Sequence, residues 1–382
     1  MPEKKGRRLK VALVDEFLTV DGGAQRVLKV LHDMWTEAPV YTMNYFPERF
    51  NPALTDWDIR TSWVSKLPFS RGLEQQYKLF YPFAVEMFDF SDYDLVISIT
   101  YAGYSKAIIV PPDCLHISYV QTVPRYLWGY RTSAHERVGW LYKKIILPPL
   151  EHYWRIWDRQ SSVRPNVLLA NSHNIARRIE KAYRRESTVL YPPADISDLL
   201  STRRKGESSD YFIYFGRLEK YKCVDMAIRA CVSAKRKLKI VGRGLCEREL
   251  KRLVAQLGAE GLVEFTGWIS DEARNSAIAS ARAFIFPGPD EDFGLVMVEA
   301  LAAGVPVVAF SRGGAAEIID SSRIGVLVDD FSQIELDCAV ASFDPKMYSS
   351  EACRKRAQDF SVDVFKRNLL RIVDLSVEKL MK

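Results

Sequence analysis

Two glutamates stand eight positions apart in "PDEDFGLVMVEALAAGVPVVAF", which begins at Pro289 and is otherwise nearly all apolar. Glu291 lies in the loop "PDED" that follows a strand-like "RAFIFPG", and Glu299 falls in the second turn of a helical "GLVMVEALAAG" that ends at Gly304. An unpaired carboxylate is costly to bury, so each acid needs something polar to meet it. A helix starting near Gly294, just after Phe293, leaves the backbone N–H groups of Gly294, Leu295 and Val296 without intrahelical acceptors, and the helix dipole favours an anion there. A diphosphate suits that spot, with Glu291 accepting hydrogen bonds from hydroxyls on one side of it and Glu299 from hydroxyls on the other. A molecule with hydroxyls at both ends and phosphate in the middle is a nucleotide sugar. The alternative makes Glu291 a solvated loop charge and Glu299 a helix-surface charge facing water.

The elements that must position these residues read as two similar halves. The first opens "KVALVDEFLTVDGGAQRVLKVLHDM", an apolar run, a glycine-bearing loop and a helical pattern in Val27, Leu28, Val30, Leu31 and Met34. Further strands are expected at "DLVISIT" (94–100), "KAIIV" (106–110), "HISYV" (116–120) and "NVLLANS" (166–172). The second half opens "DYFIYFGRLEKYKCVDMAIRACVSA" and continues with "KLKIVGRG", "LVEFTGWI", "ARAFIFPG", "GVPVVAF" and "GVLVDD". Strands alternating with helices imply parallel sheets covered on both faces. The Pro-, Gly- and charge-rich "YPPADISDLLSTRRKGESSD" (191–210) reads as a linker. The expected fold is therefore α/β: two doubly wound, Rossmann-like domains, 1–195 and 206–361, facing an interdomain cleft. A helix over about 362–382 packs back on the first domain. Ligands of such sheets sit outside the carboxyl ends of the strands. Neither half carries a full G-x-G-x-x-G, which disfavours hydride chemistry on a dinucleotide.

The chain has 382 residues, 48% hydrophobic and 27% charged, with a formal net charge of +6. The charge is too mild and too dispersed for a nucleic-acid binder and suits anionic substrates. The six cysteines have neither zinc nor disulfide spacing and read as scattered thiols. The start lacks the apolar stretch of a signal peptide, and there is no run of 18 apolar residues, so a cytoplasmic protein is expected.

"PDEDFGLVMVEALAAGVPVVA" resembles the E-x(7)-E signature of the family 4 retaining glycosyltransferases with the GT-B fold. The resemblance extends over nearly the whole chain, through "GRLEKYKCVDMAIRA", "LKIVGRG", "VEFTGWIS" and "SRGGAAEII" in order, and "VDGGAQRVL", "ANSHNIARRI" and "VLYPPAD" before them. It implies that Arg217 and Lys222, after Gly216, bind the diphosphate and stabilise the departing nucleotide. Preorganised charge of that kind is worth roughly 3–4 kcal/mol per donor. With two cations and a helix terminus available, no metal or other cofactor is expected. The catalytic set is then Arg217, Lys222 and Glu291; the donor-binding set is Gly22, Gly23, Gln121, Gly216, Phe293, Gly294, Leu295, Val296 and Glu299. Gly313, Gly314 and Glu317 are implied to lie near the sugar or nucleotide. By themselves, Gly22 and Gly23 read as an ordinary turn, a preference the resemblance reverses; the alternative for Arg217 and Lys222 is two surface basic residues on a turn.

One departure is informative. Many relatives carry histidine in a segment like "Y-C-H-T-P-x-R-Y-L-W"; here "YVQTVPRYLW" has Gln121 at that place. Glutamine can hydrogen-bond a sugar hydroxyl but cannot act as a base. The family's front-face mechanism, in which the leaving phosphate takes the acceptor's proton, tolerates that change. His116 reads as structural. In 125–160, aromatics alternate with Lys and Arg. Trp140, Tyr142, Lys143, Lys144, Ile145 and Ile146 suit a membrane interface; the alternative is an ordinary core helix with one solvated face. "EDFG…VEA" with "YLW" most resembles the mannosyltransferase branch of surface-polysaccharide biosynthesis. The resemblance thus implies GDP-mannose as donor, a glycan or lipid-linked saccharide as acceptor, peripheral contact at the inner face of the cell membrane, and no nucleic-acid partner. A UDP- or dTDP-sugar donor, a non-catalytic nucleotide-sugar-binding partner subunit and a nucleotide-sugar epimerase stand as alternatives.

Overall fold

The computed structural model describes residues 3–4, 7–19, 22–50, 54, 56–68, 76–132, 140–202 and 210–380. Val20 and Asp21 of the "VDGG" segment, 133–139 of the aromatic–basic segment and 203–209 of the expected linker lie outside them. The fold falls into two compact units: Met1–Tyr130 with His135–Pro193 and Phe365–Lys382, and Ala194–Val364 with Arg131–Ala134.

Unit 1 is built on a seven-stranded parallel sheet. Its strands are β1 (Val11–Leu18), β2 (Val40–Tyr45), β3 (Ile59–Thr61), β4 (Leu95–Thr100), β5 (Leu115–Val120), β6 (Val167–Ala170) and β7 (Thr188–Val189), in the order β3-β2-β1-β4-β5-β6-β7. β4 and β5 are buried at every residue, as strands covered on both faces must be. Helix α1 (Gly23–Met34) packs Val27, Leu28 and Leu31 on one face of the sheet. The last helix of the chain, Val362–Leu380, lays Phe365, Leu369, Val373 and Val377 into the same core. Those residues recur every fourth position and so form one stripe along the helix. His116 is fully buried in β5, its Nε2 2.9 Å from Ser98 Oγ, and burial holds it down at about 3. It is a neutral core residue.

One expectation in this unit is corrected. "KAIIV" is not a strand: Ser105–Ala107 form a 3₁₀ turn, and no strand place is open beside β4, which pairs with β1 and β5. The apolar residues of the segment instead cap the sheet's second face, where Ala107 and Ile108 pack with Val14, Val85 and Val96. The segment from Trp140 is helical, with a π-turn at Tyr142–Ile146 leading into α2 (Leu147–Ser161), which buries Leu147, Trp154, Asp158 and Ser161. Trp140, Leu141, Tyr142, Ile145, Ile146, Tyr153 and Ile156 are all exposed. Helix α3 (His173–Tyr183) follows β6, with Ser172 capping its start through Ile175 N.

Unit 2 holds a six-stranded parallel sheet. Its strands are β8 (Tyr211–Phe215), β9 (Lys237–Val241), β10 (Val263–Gly267), β11 (Ala283–Phe286), β12 (Val307–Phe310) and β13 (Gly325–Val328), in the order β10-β9-β8-β11-β12-β13. Helix α4 (Val224–Ser233) follows β8 and α5 (Leu295–Ala302) follows β11.

Candidate functional site

In unit 2 the chain runs outward from β8 through β9 to β10, then returns to β11 on the other side of β8. Such a reversal leaves a crevice at the carboxyl ends of the strands, where open parallel sheets hold ligands. Two loops meet there. The first follows β8 with Gly216 at φ 144°. The buried Tyr214 hydroxyl donates to Arg217 O at 3.0 Å and so pins the loop to the strand below it. The Arg217 side chain is exposed and donates to Tyr221 OH at 3.3 Å. A 3₁₀ turn, Lys220–Lys222, then leads into α4.

The second loop follows β11 and carries Glu291, whose Oε2 accepts from Lys222 Nζ. The two side chains are only 12% and 17% exposed, so Glu291 is not a solvated loop charge. The Phe286 ring centroid lies 5.2 Å from the Lys222 ammonium. Gly294 turns the chain into α5 at φ 101°, a left-handed conformation that side chains disfavour. A Cβ there would fall 2.2 Å from Met297 Cε. Leu295 and Val296 are half-buried in the first turn, where N–H groups have no acceptor within the helix. Phe293 is buried, edge-on to Phe360. Glu299 is 3% exposed, which overturns the reading of it as a helix-surface charge.

Gly313 and Gly314 support this loop from beneath. Gly314 N donates to Glu291 O at 3.0 Å, and Cβ atoms at the two positions would fall 2.3 Å from Glu291 O and 2.0 Å from Phe293 O. Their lack of side chains lets one backbone lie against the other, which fixes the height of Glu291. Glu317 is half-buried nearby in the short helix Ala315–Ile318, and its carbonyl accepts from Arg356. Unit 2 thus brings together Gly216, Arg217, Lys222, Glu291, Phe293, Gly294, Leu295, Val296 and Glu299 on the two strand–helix connections of the reversal.

Gly22, Gly23 and Gln121 belong to unit 1, at the carboxyl ends of β1 and β5. Gly22 caps α1, its N–H donating to Gln25 Oε1 at 3.1 Å, and among the described residues, apart from its chain neighbours and its own helix backbone, no heavy atom lies within 4 Å of where a Cβ on Gly23 would be. Gln121 is held by its backbone: its N–H donates to Thr100 O and its carbonyl accepts from Asn171 Nδ2, both at 2.8 Å.

Sequence reasoning missed a pair of carboxylates at this edge. Asp15 and Glu16, at the end of β1, are essentially fully buried. Glu16 accepts from four backbone N–H groups, those of Tyr101, Ala102, Tyr104 and Ser105. Asp15 Oδ1 accepts from Tyr101 OH at 3.1 Å and Phe17 N at 3.2 Å. Burial, with the neighbouring Glu16 charge, pushes Asp15 up to about 8. The signal was present: "VALVDEFL" sets two acids in an apolar strand, the same anomaly that singles out Glu291 and Glu299.

Residues 198–359 match the model of the family described as glycosyl transferases group 1. Among curated proteins, the chain is 36% identical over 120 residues to an uncharacterized glycosyltransferase of Methanocaldococcus jannaschii, covering 30% of this chain and 31% of that one. It is 34% identical over 161 residues to the GDP-mannose-dependent alpha-(1-6)-phosphatidylinositol monomannoside mannosyltransferase of Mycobacterium tuberculosis, covering 39% and 42%. The chain thus spans about a third to two fifths of the length of these curated relatives. Among solved structures, HepE of Anabaena in complex with UDP shares the fold at a TM-score of 0.69 and 17% identity, over 96% of this chain and 99% of that one. Residues 198–359 thus carry the match to the glycosyl transferases group 1 family, and the two Rossmann-like domains share the GT-B fold.

Proposed function

We propose that the chain is a retaining glycosyltransferase that moves mannose from GDP-mannose to a glycan or lipid-linked saccharide in polysaccharide biosynthesis. The observation that carries the reading is the Lys222–Glu291 pair at the strand-order reversal, set beside the first turn of α5. A diphosphate entering there meets one ammonium, the Arg217 guanidinium and the first-turn N–H groups. As the bond to the sugar breaks, these fixed positive groups stabilise the charge that develops on the leaving phosphate. Lys222 then shares its donors between phosphate and Glu291, which orients the acid toward sugar hydroxyls. Gln121 contributes a hydrogen bond to the sugar, and the leaving phosphate takes the acceptor's proton. These groups supply the charge without a metal. The choice of GDP-mannose draws on the similarity to the mycobacterial enzyme. A second reading, transfer from a UDP-sugar, is favoured by the UDP bound to HepE.

The exposed apolar side chains between Trp140 and Ile156, with Lys143 and Lys144 among them, favour peripheral contact of unit 1 with a membrane that carries the acceptor. Among the described residues no helix is long and apolar enough to cross one.

The test is to incubate the purified protein with a panel of GDP-, UDP- and dTDP-sugars and measure release of nucleotide with and without saccharide acceptors. Turnover of GDP-mannose alone among them is the expected result. Turnover confined to UDP or dTDP compounds moves the donor assignment, and binding without turnover over many acceptors favours a non-catalytic partner subunit.

A further inference from the structure

Unit 1 contains a buried ion pair that the proposed chemistry does not use. Lys106 Nζ lies 2.5 Å from Asp158 Oδ1, and the two side chains are 0% and 1% exposed. Burying two charges costs desolvation and is often no better for stability than an apolar pair. What this pair holds is therefore more telling than its contribution to folding. Lys106 also donates to Gly103 O at 2.7 Å and Ser161 Oγ at 3.1 Å. Asp158 accepts from Trp128 Nε1 at 2.8 Å on Oδ2 and from Tyr183 OH at 3.2 Å on Oδ1. Four separate parts of the unit meet at one carboxylate: the loop after β4, the loop after β5, α2 and α3.

The two loops leave the carboxyl ends of neighbouring strands, β4 and β5. The loop after β5 begins at Gln121 and runs through Pro124 to Trp128. The loop after β4 is clamped from its other side by Glu16, through the four amides described above. The loops also touch each other through a residue that can have no side chain. Gly103 sits at φ 100°, and a Cβ there would fall 2.6 Å from Asp158 Oδ1 and 2.7 Å from Pro124 Cγ. Arg155, one turn before Asp158 on α2, adds a bond from Nε to Leu127 O at 2.7 Å. The far end of the Gln121 loop is thus tied to α2 by two side chains, and its near end to β4 by a backbone bond and to the Asn171 side-chain amide.

We propose that Asp158 is a positioning residue for sugar transfer: through Trp128 and the Gly103–Pro124 contact it sets the loop that carries Gln121. The proposal rests on the transferase reading for its kinetic consequence, and on geometry alone for the loop. Asp158→Asn strands a buried ammonium and unfolds the unit, so the primary variant is Trp128→Phe, which keeps an aromatic ring and removes the donor to Asp158 together with part of the indole. Gly103→Ala is the second variant, because it forces Pro124 and Asp158 apart directly.

The measurements are kcat, donor KM, nucleoside diphosphate affinity by calorimetry, and amide hydrogen exchange over 121–128. Both variants are expected to lose about ten- to a hundredfold in kcat, the scale of a misplacement near 1 Å. Diphosphate affinity stays within about twofold, since unit 2 is untouched, and exchange in the loop rises. A Trp128→Phe protein with unchanged kcat and a lowered melting temperature overturns the proposal and leaves the pair a matter of stability. A parent protein without turnover on any donor sinks the transferase reading instead. The exchange data then still decide, since unchanged protection of 121–128 in both variants overturns the positioning of the loop.

Discussion

Lys222 Nζ donates to Glu291 Oε2 and so joins two loops whose residues are 69 apart in sequence. They meet because β8 and β11 are neighbours in the sheet. Removing one partner of a mostly buried pair costs about 3–5 kcal/mol, whereas removing both is often nearly neutral. Lys222→Met and Glu291→Leu are each expected to lower stability, and the double variant to recover most of it, as read by urea unfolding. Turnover separates the roles. If Lys222 meets developing charge on the leaving phosphate, the double variant stays about a hundredfold or more down in kcat despite its restored stability. A double variant as active as the parent would show the pair to be structural.

The same arrangement bears on metal ions. On the proposed reading, Lys222, Arg217 and the first turn of α5 supply the positive charge that a divalent cation would otherwise supply. Turnover is expected to be unchanged after dialysis against EDTA and assay in its presence. Activity that disappears with chelator and returns with Mg²⁺ or Mn²⁺ would mean that these groups do not suffice.

Much of the frame was legible in the chain because parallel strands covered on both faces read as unbroken apolar runs, as "LVISIT" and "FIYF" do. β2 was not, because its "VYTMNY" carries Thr42 and Asn44, polar residues that are nonetheless buried; Thr42 Oγ1 donates to Asn44 O at 3.3 Å and Asn44 Nδ2 to Tyr81 OH at 2.9 Å. "KAIIV" misled for the opposite reason, being apolar without a vacant place in the sheet. The acids at 291 and 299 announced themselves as charges in apolar surroundings. That Glu291 meets Lys222 could not be read, since it depends on which strands are neighbours. Gly313 and Gly314 are implied by resemblance to lie near the sugar or nucleotide; that the backbone they closely approach is that of Glu291 and Phe293 could not be read from the chain.

Asp15 makes stability depend on pH. Its folded-state value is raised to about 8 by burial and by the charge of Glu16, against about 3.9 when unfolded. The folded chain therefore keeps a proton that the unfolded chain releases. The associated stability is fully present below about pH 4 and is lost as pH rises through 8, at about 1.4 kcal/mol per pH unit at most. Asp15→Asn removes the ionisation. Its melting temperature relative to the parent should rise between pH 5 and pH 8, as measured by calorimetry at constant ionic strength. An offset that does not change with pH would show Asp15 to be ionised in the folded chain at pH 5.

The helix from Trp140 to Ser161 offers the last prediction. Leu141, Ile145, Tyr153 and Ile156 are each more than half exposed, and Trp140 is 70% exposed. Apolar side chains set in a row along a helix with lysines beside them are better suited to a bilayer interface than to water. Each lysine near an anionic surface is worth about 1 kcal/mol, so Lys143→Ala with Lys144→Ala should weaken vesicle binding by roughly thirtyfold. The effect should shrink as salt rises. Ile145→Glu should abolish binding by placing a charge in the acyl boundary. Because these side chains are exposed, none of the changes should move the melting temperature by more than about 2 °C. Sedimentation with vesicles of anionic and of zwitterionic lipid provides the measurement. A parent that stays in the supernatant with both, or that pellets equally with the zwitterionic vesicles and ignores the lysine changes, would leave this face to a protein partner.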